Sequence, residues 1–150
     1  MAPALPETRT VRSVPETQAF ARELARRFGP GFVWSLSGDL GAGKTCFVQG
    51  LCDGLGIEAA ASSPTFAIAH EYGASGPGPR LVHLDLYRLS GPDELETVGW
   101  DDMVDSGDTM AVEWPDRAGP CLPADRTVRV EIAHGASEDE RVITVCPPLS

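Results

Sequence analysis

The segment Gly38–Thr45 constrains the fold of this chain more than any other part of the sequence. It matches the phosphate-binding pattern G-x-x-x-x-G-K-[ST] at every fixed position. Glycines let successive backbone N–H groups converge on phosphate oxygens, and the lysine adds a compact positive charge. The hydroxyl of the threonine that follows is a ligand for Mg²⁺. We therefore interpret the segment as a nucleotide-binding phosphate loop made of Gly38, Asp39, Leu40, Gly41, Ala42, Gly43, Lys44 and Thr45.

The sequence on both sides of the phosphate loop has the strand–loop–helix context that the pattern requires. Upstream, Phe32–Leu36 is rich in β-forming residues and is typical of a buried strand. Downstream, Gly54 and Gly56 are expected to stop a helix. The apolar residues at helical spacing in that helix are Phe47, Val48, Leu51 and Leu55. Lys44 is also the single lysine of the chain, so an ordinary glycine-rich turn is the weaker interpretation.

The rest of the pattern predicts an α/β fold, with residues 1–150 forming a single P-loop NTPase-like domain. Residues 1–12 are interpreted as a loose lead with a short edge strand near Thr10–Arg12. The first helix is expected to start at a Ser13 cap, with Glu16 three residues later, and to end at Gly29–Pro30.

The later elements predict a mixed central sheet flanked by helices. Three strands are expected at Phe66–Tyr72, Leu81–Asp85 and Met110–Glu113, with a hairpin connection over 73–79. A short acidic helix is expected from Pro92. Alternating apolar residues at the end of the chain predict an antiparallel strand pair, and these residues are Val128, Val130, Ile132, Ile143 and Val145.

Composition excludes several classes of protein. With 42% hydrophobic and 23% charged residues the chain is typical of a globular domain. No apolar run approaches the roughly 20 residues of a membrane helix, and the N-terminus does not resemble a signal peptide. We therefore expect a cytoplasmic protein that does not bind membranes. The four cysteines form no C-x-x-C pair or zinc-binding spacing, and Cys52 and Cys146 are expected to pack as small hydrophobic residues.

The formal charge of -10 bears on RNA binding. A protein that binds nucleic acid by itself usually has a basic face, because neutralisation of phosphates supplies much of the affinity. Here the basic residues are scattered, apart from Arg22, Arg26 and Arg27 on one predicted helix, which we interpret as a solvated face. Any role on RNA is therefore expected to act through a partner protein.

Two acids at strand ends are candidates for completing the phosphate-loop site. Hydrolysis requires a bound Mg²⁺ and an oriented water, and an acid at the end of an apolar strand is the usual second element. Asp85 and Glu113 both occupy such positions, and the residues do not decide which of them binds the metal and which orients water. Asp39 in the loop either contacts the nucleotide or stabilises the turn.

Thr65 and Trp114 are candidates for sensing or transmitting the nucleotide state. Thr65 follows a polar turn, where its hydroxyl either senses the terminal phosphate or starts a strand. Trp114 directly follows Glu113 and is either a core anchor or a residue that contacts a partner. A guanine-reading Asn/Thr-Lys-x-Asp motif is impossible because the single lysine lies in the phosphate loop, so ATP is favoured over GTP.

Taken together, the motifs resemble the TsaE (YjeE) family, the bacterial ATPases of tRNA threonylcarbamoyladenosine synthesis. The resemblance extends from about Ser13 to Val145 and rests on four motifs in register: Gly38–Thr45, Ser63–Phe66, His83–Arg88 and Glu113–Pro115. It implies a weak, Mg²⁺-dependent ATPase that acts on TsaB-like and TsaD-like partners. That complex transfers a threonylcarbamoyl group to the adenosine beside the anticodon of tRNAs that read codons beginning with A.

The resemblance also implies roles for individual residues. Lys44 contacts the phosphates and Thr45 binds Mg²⁺. Glu113 is the strand-end acid near the metal, and Asp85 is the second essential acid. Thr65 matches the switch threonine and Trp114 the tryptophan beside the acid, whereas Ser13–Thr17 matches, more loosely, a segment near the nucleotide base. Cys46 departs from the family pattern, in which a second threonine is common.

Two other functions remain open from the sequence. A free-standing P-loop kinase acting on a small molecule would share the phosphate loop. Such kinases usually have an arginine-rich lid, and here Arg80 and Arg88 lie near the 73–79 connection without forming an arginine cluster. A nucleotide-binding interaction module without turnover is the third interpretation.

Overall fold

A computed structural model describes residues 6–38, 43–57, 69–73 and 79–148. Seven strands are present in these ranges: β1 (Glu7–Val11), β2 (Val33–Gly38), β3 (Ala69–Tyr72), β4 (Leu81–Asp85), β5 (Thr109–Glu113), β6 (Thr127–His134) and β7 (Arg141–Cys146). The α-helices are α1 (Val14–Phe28), α2 (Lys44–Leu55) and α3 (Trp100–Ser106). Three 3₁₀ helices cover Pro92–Val98, Pro115–Arg117 and Gly119–Cys121.

The strands form one mixed sheet in the order β1-β7-β6-β2-β5-β4-β3. The central strands β6, β2, β5 and β4 are parallel, whereas β7, β1 and β3 are joined through antiparallel pairings. The α/β fold class with its mixed sheet is confirmed, and so is the C-terminal antiparallel pair β6–β7. Strands β5 and β6 lie on opposite sides of β2. The carboxyl end of β2 is therefore the type of position where ligands bind in α/β sheets.

Apolar side chains cover the two faces of the sheet in two separate cores. Trp34 and Leu36 of β2 point to the face covered by α1 and α2, while Val33 points to the opposite face. The second face is covered by the 3₁₀ helix Pro92–Val98 and by α3, whose Trp100 is buried. The helices thereby fix β2 and the start of α2 from both sides.

Helix α1 has the ends that the sequence predicts. The Ser13 hydroxyl accepts a hydrogen bond from the Glu16 N–H at 3.2 Å, and the Glu16 carboxylate accepts one from the Arg12 N–H at 2.9 Å. Gly29, with φ of 84°, ends the helix and donates its N–H to Ala25. Two of the arginines on this helix pair with acids, Arg22 with Asp53 and Arg27 with Glu7 and Glu23.

Helix α2 packs against α1 through two glycines. A Cβ placed on Gly50 would lie 2.4 Å from the carbonyl oxygen of Gln18, and one on Gly54 would lie 2.6 Å from that of Arg22. Helix α2 continues to Leu55, so Gly54 lies inside it, and the expectation that Gly54 stops the helix is wrong. Gly56, with φ of 72°, lies just after the last helical residue and ends α2 as expected.

Several other differences from the expected elements are small. Residues 7–11 pair with β7, so the edge strand is longer than the one expected near Thr10–Arg12. The acidic helix is a 3₁₀ helix, and α3 after it was not anticipated. Cys52 is fully buried, and this burial raises the pKa of its thiol to about 12. Among the described residues, no helix has both the length and the apolar character needed to cross a membrane.

Candidate phosphate-loop site

The phosphate loop connects the carboxyl end of β2 to the first residue of α2, and the structure describes both of its ends. Gly38 has φ of 149°, and a Cβ there would lie 2.2 Å from the carbonyl oxygen of Ile132 on β6. Only glycine fits this contact. Gly43 is left-handed and its carbonyl accepts the N–H of Phe47 at 3.0 Å, which starts the helix. The loop residues outside the described ranges are Asp39, Leu40, Gly41 and Ala42.

Lys44 is buried at the start of α2, with only 7% of its surface exposed. Its Nζ donates to the carbonyl oxygen of Gly38 at 3.1 Å, so the side chain folds back toward the end of β2. The start of α2 has no side-chain cap and no acid in its first turn. Helix N–H groups and the positive end of the helix dipole therefore lie beside the lysine without a carboxylate from the helix itself, an arrangement that favours an anionic ligand.

Glu113 lies next to Lys44, at the end of the strand that neighbours β2. Its Oε1 is 3.6 Å from Lys44 Nζ, and its side chain is 13% exposed. Burial alone would raise the pKa of the carboxyl, but the hydrogen bond and attraction from His83, with the nearby charge of Lys44, outweigh burial and hold the pKa below its usual value. Glu113 is thus an anion at neutral pH.

Asp85 lies beside Glu113 on the adjacent parallel strand. The two residues are register partners in the β4–β5 pairing, so both candidate acids lie at the same edge of the sheet. Asp85 is exposed, and its Oδ1 accepts the N–H of Tyr87 at 3.1 Å. Asp85 is exposed and Glu113 is largely buried, so the two acids differ in environment although both follow apolar strands in the sequence.

His83 contacts Glu113, a contact that the sequence did not indicate. The Nε2 atom of His83 lies 2.6 Å from Glu113 Oε2. The interpretation of His83 as a sheet residue is correct, since it lies in β4. The sequence does show that His83 and Asp85 are two residues apart on one predicted strand and so share a face. The pairing of Asp85 with Glu113, which completes the inference, is known only from the structure.

Trp114 has an unusual backbone. With φ of 57° and ψ of 53° it is the one non-glycine residue with positive φ in the described ranges. Such a conformation costs about 1–3 kcal/mol, and it persists where surrounding contacts hold it. The centroids of the Tyr87 and Trp114 rings lie 4.9 Å apart, and Lys44 Nζ lies 5.6 Å from the centroid of the Trp114 ring. Tyr87 is 57% exposed, so the ring pair connects the lysine to the surface.

Thr17 lies on a cavity beside the end of the phosphate loop. The residue is 4% exposed and its hydroxyl donates to the Ser13 carbonyl at 3.2 Å. The cavity has a volume of about 420 Å³, and its lining residues are Arg12, Ser13, Val14, Thr17, Gly43, Cys46, Asp139 and Arg141. The start of α1, the start of α2 and the β6–β7 turn thus meet at one place. Thr65 lies outside the described residues.

A larger groove, of about 450 Å³, lies on the face of β6 that carries Arg129, and Lys44 is not among its lining residues. The loop, and not this groove, is the candidate phosphate site, because the buried lysine and the helix start define where an anion is favoured. A smaller cavity of about 110 Å³ adjoins Lys44 itself, between Gly38 and Trp114.

A buried lysine that starts the helix after the central strand, facing an acid from the neighbouring parallel strand, defines a protein of the P-loop NTPase class. Within that class, the chain belongs to the TsaE family. The family model described as "Threonylcarbamoyl adenosine biosynthesis protein TsaE" matches residues 11–143. The resemblance noted in the sequence is thereby confirmed.

Relatives with the same description are similar over most of their length. The tRNA threonylcarbamoyladenosine biosynthesis protein TsaE of Streptomyces coelicolor is 44% identical over 127 residues, covering 83% of this chain and 85% of the relative. The Bacillus subtilis protein of that name is 43% identical and covers 86% of this chain and 78% of the relative. The crystal structure of Bacillus subtilis YdiB superposes with a TM-score of 0.72 at 33% identity, covering 99% of this chain and 90% of that one.

Proposed function

We propose that this chain is a weak, Mg²⁺-dependent ATPase that serves as an accessory subunit in tRNA modification. In this role it is required for transfer of a threonylcarbamoyl group to the adenosine next to the anticodon of tRNAs that read codons beginning with A. The observation that carries the proposal is the position of Lys44, buried at the start of α2 and 3.6 Å from Glu113. Family membership supplies the modification pathway.

The residues at the loop fit a nucleotide phosphate chain. Lys44 and the N–H groups at the start of α2 would hold the phosphates, with Asp39, Leu40, Gly41 and Ala42 completing the loop. ATP is favoured over GTP because the single lysine of the chain is used here. The cavity that contains Thr17 adjoins Gly43, and we assign it to the base and ribose.

The oxygen atoms of Thr45 and Glu113 fit a Mg²⁺ ion that is bound together with a nucleotide. Within the described ranges, no group of three or more His, Cys, Asp or Glu side chains forms a metal site by itself. Mg²⁺ at phosphate sites is commonly held by one or two protein oxygens together with phosphate oxygens and water. Thr45 and Glu113 would hold it here. The bound ion would neutralise charge on the terminal phosphates during hydrolysis.

We assign the remaining candidates by their position. Asp85 is exposed beside Glu113, where a carboxylate can orient the attacking water. Thr65 lies outside the described residues, and we assign it to sense the terminal phosphate because it matches the switch threonine of the family. Trp114, packed between Lys44 and the exposed Tyr87, would transmit the nucleotide state to a partner.

TsaB-like and TsaD-like proteins are the proposed partners, in the cytoplasm, and tRNA would be held by them. The formal charge of -10 supports this division, because a strongly acidic subunit repels the RNA backbone.

The proposal is tested by measuring phosphate release from ATP, with and without Mg²⁺ and with and without the two partner proteins. We expect slow release by the chain alone and a dependence of threonylcarbamoyl transfer on its addition. Lys44→Ala should weaken ATP binding by at least about tenfold, since a charge-assisted contact contributes about 1.5–3 kcal/mol. Gln49→Ala, an exposed position on the same helix, is the matched control.

Two results would contradict the proposal. If Lys44→Ala binds ATP as tightly as the wild type, the phosphate site is assigned to the wrong residues. If the isolated chain phosphorylates a small acceptor rapidly, the kinase interpretation is correct and the accessory role is not.

A further inference from the structure

His83 contacts the largely buried Glu113 from outside the phosphate loop. It lies on β4 with 8% of its surface exposed, and its Nε2 is 2.6 Å from Glu113 Oε2. The Glu113 carboxylate can only accept hydrogen bonds, so this short contact requires the proton on Nε2. The ring therefore donates to Glu113 whatever its overall charge.

The two oxygens of Glu113 are held from different directions. Oε2 accepts from His83, while Oε1 faces Lys44 Nζ at 3.6 Å. His83 comes from β4 and Lys44 from α2, so the carboxylate is fixed between two separate elements. A glutamate side chain has three rotatable bonds, and fixing one oxygen removes most of its freedom to turn away from the loop.

We propose that His83 is a positioning residue for ATP hydrolysis: its Nε2–H fixes the Glu113 carboxylate so that Oε1 stays on the side of Lys44, where Mg²⁺ and phosphate would bind. His83 itself would contact neither. The inference rests on the proposed function, because it gives Glu113 its task. A histidine that orients a metal-binding carboxylate is an outer-shell partner, and loss of such partners typically lowers metal affinity or activity by 10–100-fold.

The chain offers a matched control for this histidine. His70 on β3 is the register partner of His83, and the two rings lie 6.4 Å apart, but the hydrogen bond to Glu113 comes from His83. His83→Leu removes the donor at similar volume. His83→Gln keeps an N–H donor at the reach of Nε2, and His70→Leu removes the neighbouring ring.

The first experiment measures Mg²⁺ dependence with a fluorescent ADP analogue, and kcat with ATP. For His83→Leu we expect unchanged binding of the analogue without Mg²⁺. The Mg²⁺ concentration at which the fluorescence of the bound analogue shows half of its Mg²⁺-dependent change should rise by roughly 10- to 100-fold. The kcat for ATP should fall by a similar factor. His83→Gln should recover most of both, and His70→Leu should match the wild type. Equal losses in the Leu and Gln variants of His83, or no loss in either, would overturn the inference.

A double-mutant cycle separates an effect through Glu113 from general damage to the sheet. If His83 acts through the carboxylate, adding His83→Leu to Glu113→Gln should cause no further loss of kcat. Additive losses would mean that His83 acts elsewhere. If Glu113→Gln alone has wild-type kcat, the assignment of Glu113 is wrong and the proposed site fails with it. If Glu113→Gln is impaired but His83→Leu is not, only the inference fails.

A measurement on the wild-type protein does not depend on whether the variants fold. Nitrogen-15 NMR of the histidine rings should show the proton on Nε2 of His83, with slow exchange because the ring is buried. Connecting each ring signal to its assigned backbone in the wild-type spectrum distinguishes His83 from His70 and His134. A His83 ring with Nε2 unprotonated at neutral pH cannot donate to Glu113, and the inference would then be wrong.

Discussion

Glu113 keeps its negative charge in a place where burial opposes charge. Its side chain is 13% exposed, and the contacts from His83 and Lys44 compensate for the lost hydration. Lys44 needs the same compensation, since it is 7% exposed and also donates to the Gly38 carbonyl. The three side chains thus form one coupled group, in which removing any member leaves the others poorly satisfied.

This coupling predicts a pH-dependent stability difference between the wild type and Glu113→Gln, measured by chemical denaturation without nucleotide or Mg²⁺. The pKa of Glu113 is lowered in the folded chain, so its stabilising effect is complete above the unfolded pKa and is lost as pH falls through the folded pKa. We expect the variant to be less stable by about 1–3 kcal/mol at neutral pH. The difference should vanish in acid, where protonated Glu113 resembles glutamine.

Glu131→Gln is the control for this measurement, because Glu131 is exposed on β6. It should stay close to the wild type at every pH, as surface substitutions usually do. A Glu113→Gln difference that is constant with pH, or that grows in acid, would show that the carboxylate is not held as described.

At the residue scale, the sequence was informative wherever chemistry follows from a fixed spacing. The pattern at Gly38–Thr45 makes Lys44 a candidate, and the strand ends make Asp85 and Glu113 candidates. The structure places Lys44 Nζ 3.6 Å from Glu113 Oε1 and Asp85 beside Glu113. The contact between His83 and Glu113 depends on how β4 and β5 pair, which no local pattern specifies. The left-handed backbone of Trp114 was equally unpredictable, because tryptophan has no preference for that region.

At the scale of elements, helices α1 and α2 approach each other closely at glycines of α2, which have no side chain. Gly50 and Gly54 are four residues apart on α2 and face the backbone of α1. The sequence reading treated Gly54 as a stop signal, since a glycine near a helix end usually is one. Helix α3 was missed because seven residues are too few to show a periodic pattern.

Gly50→Ala should destabilise the fold because the helices cannot separate without disturbing the core. The added Cβ would lie 2.4 Å from the Gln18 carbonyl oxygen and 2.7 Å from Ala21 Cβ. Overpacking of this kind costs about 1–3 kcal/mol, and a 2.4 Å approach to backbone places Gly50→Ala in the upper part of that range. After subtracting the roughly 1 kcal/mol that alanine gains over glycine inside a helix, we expect a net loss of about 1–2 kcal/mol. Thermal or urea unfolding measures the difference.

Gly91→Ala is the corresponding control, since Gly91 has extended backbone and a Cβ there meets nothing within 4 Å. Its midpoint of thermal or urea unfolding should equal that of the wild type. A Gly50→Ala variant as stable as Gly91→Ala would mean that α1 and α2 are further apart than described.

At the scale of the whole molecule, the sequence predicted the class of fold and the antiparallel end of the sheet, but not the order of strands. Each strand pattern is local, whereas the position of β2 between β5 and β6 is decided by packing over the whole chain. The pairing of β1 with β7 joins residues more than a hundred positions apart, and nothing in Glu7–Val11 indicates that partner.

The charge of the whole molecule predicts its behaviour toward RNA. With a formal charge of -10, the isolated chain should not retain tRNA in filter binding at low salt, and addition of ATP and Mg²⁺ should not change this. A basic RNA-binding protein under the same conditions is the positive control. Salt-sensitive binding of tRNA by the chain alone would place the RNA contact on this subunit and contradict the proposed division of roles.

The pairing of β1 with β7 also has a consequence for protein synthesis. Residues from the start of α1 and from the β6–β7 turn line the same cavity, so its walls come from segments more than a hundred residues apart in the chain. A nascent chain on the ribosome has its phosphate loop early, but it lacks Asp139, Arg141 and the strand that anchors β1. The cavity that we assign to the base and ribose can therefore form only after β7 has been synthesised, so the proposed nucleotide cannot act as a template for the earlier steps of folding.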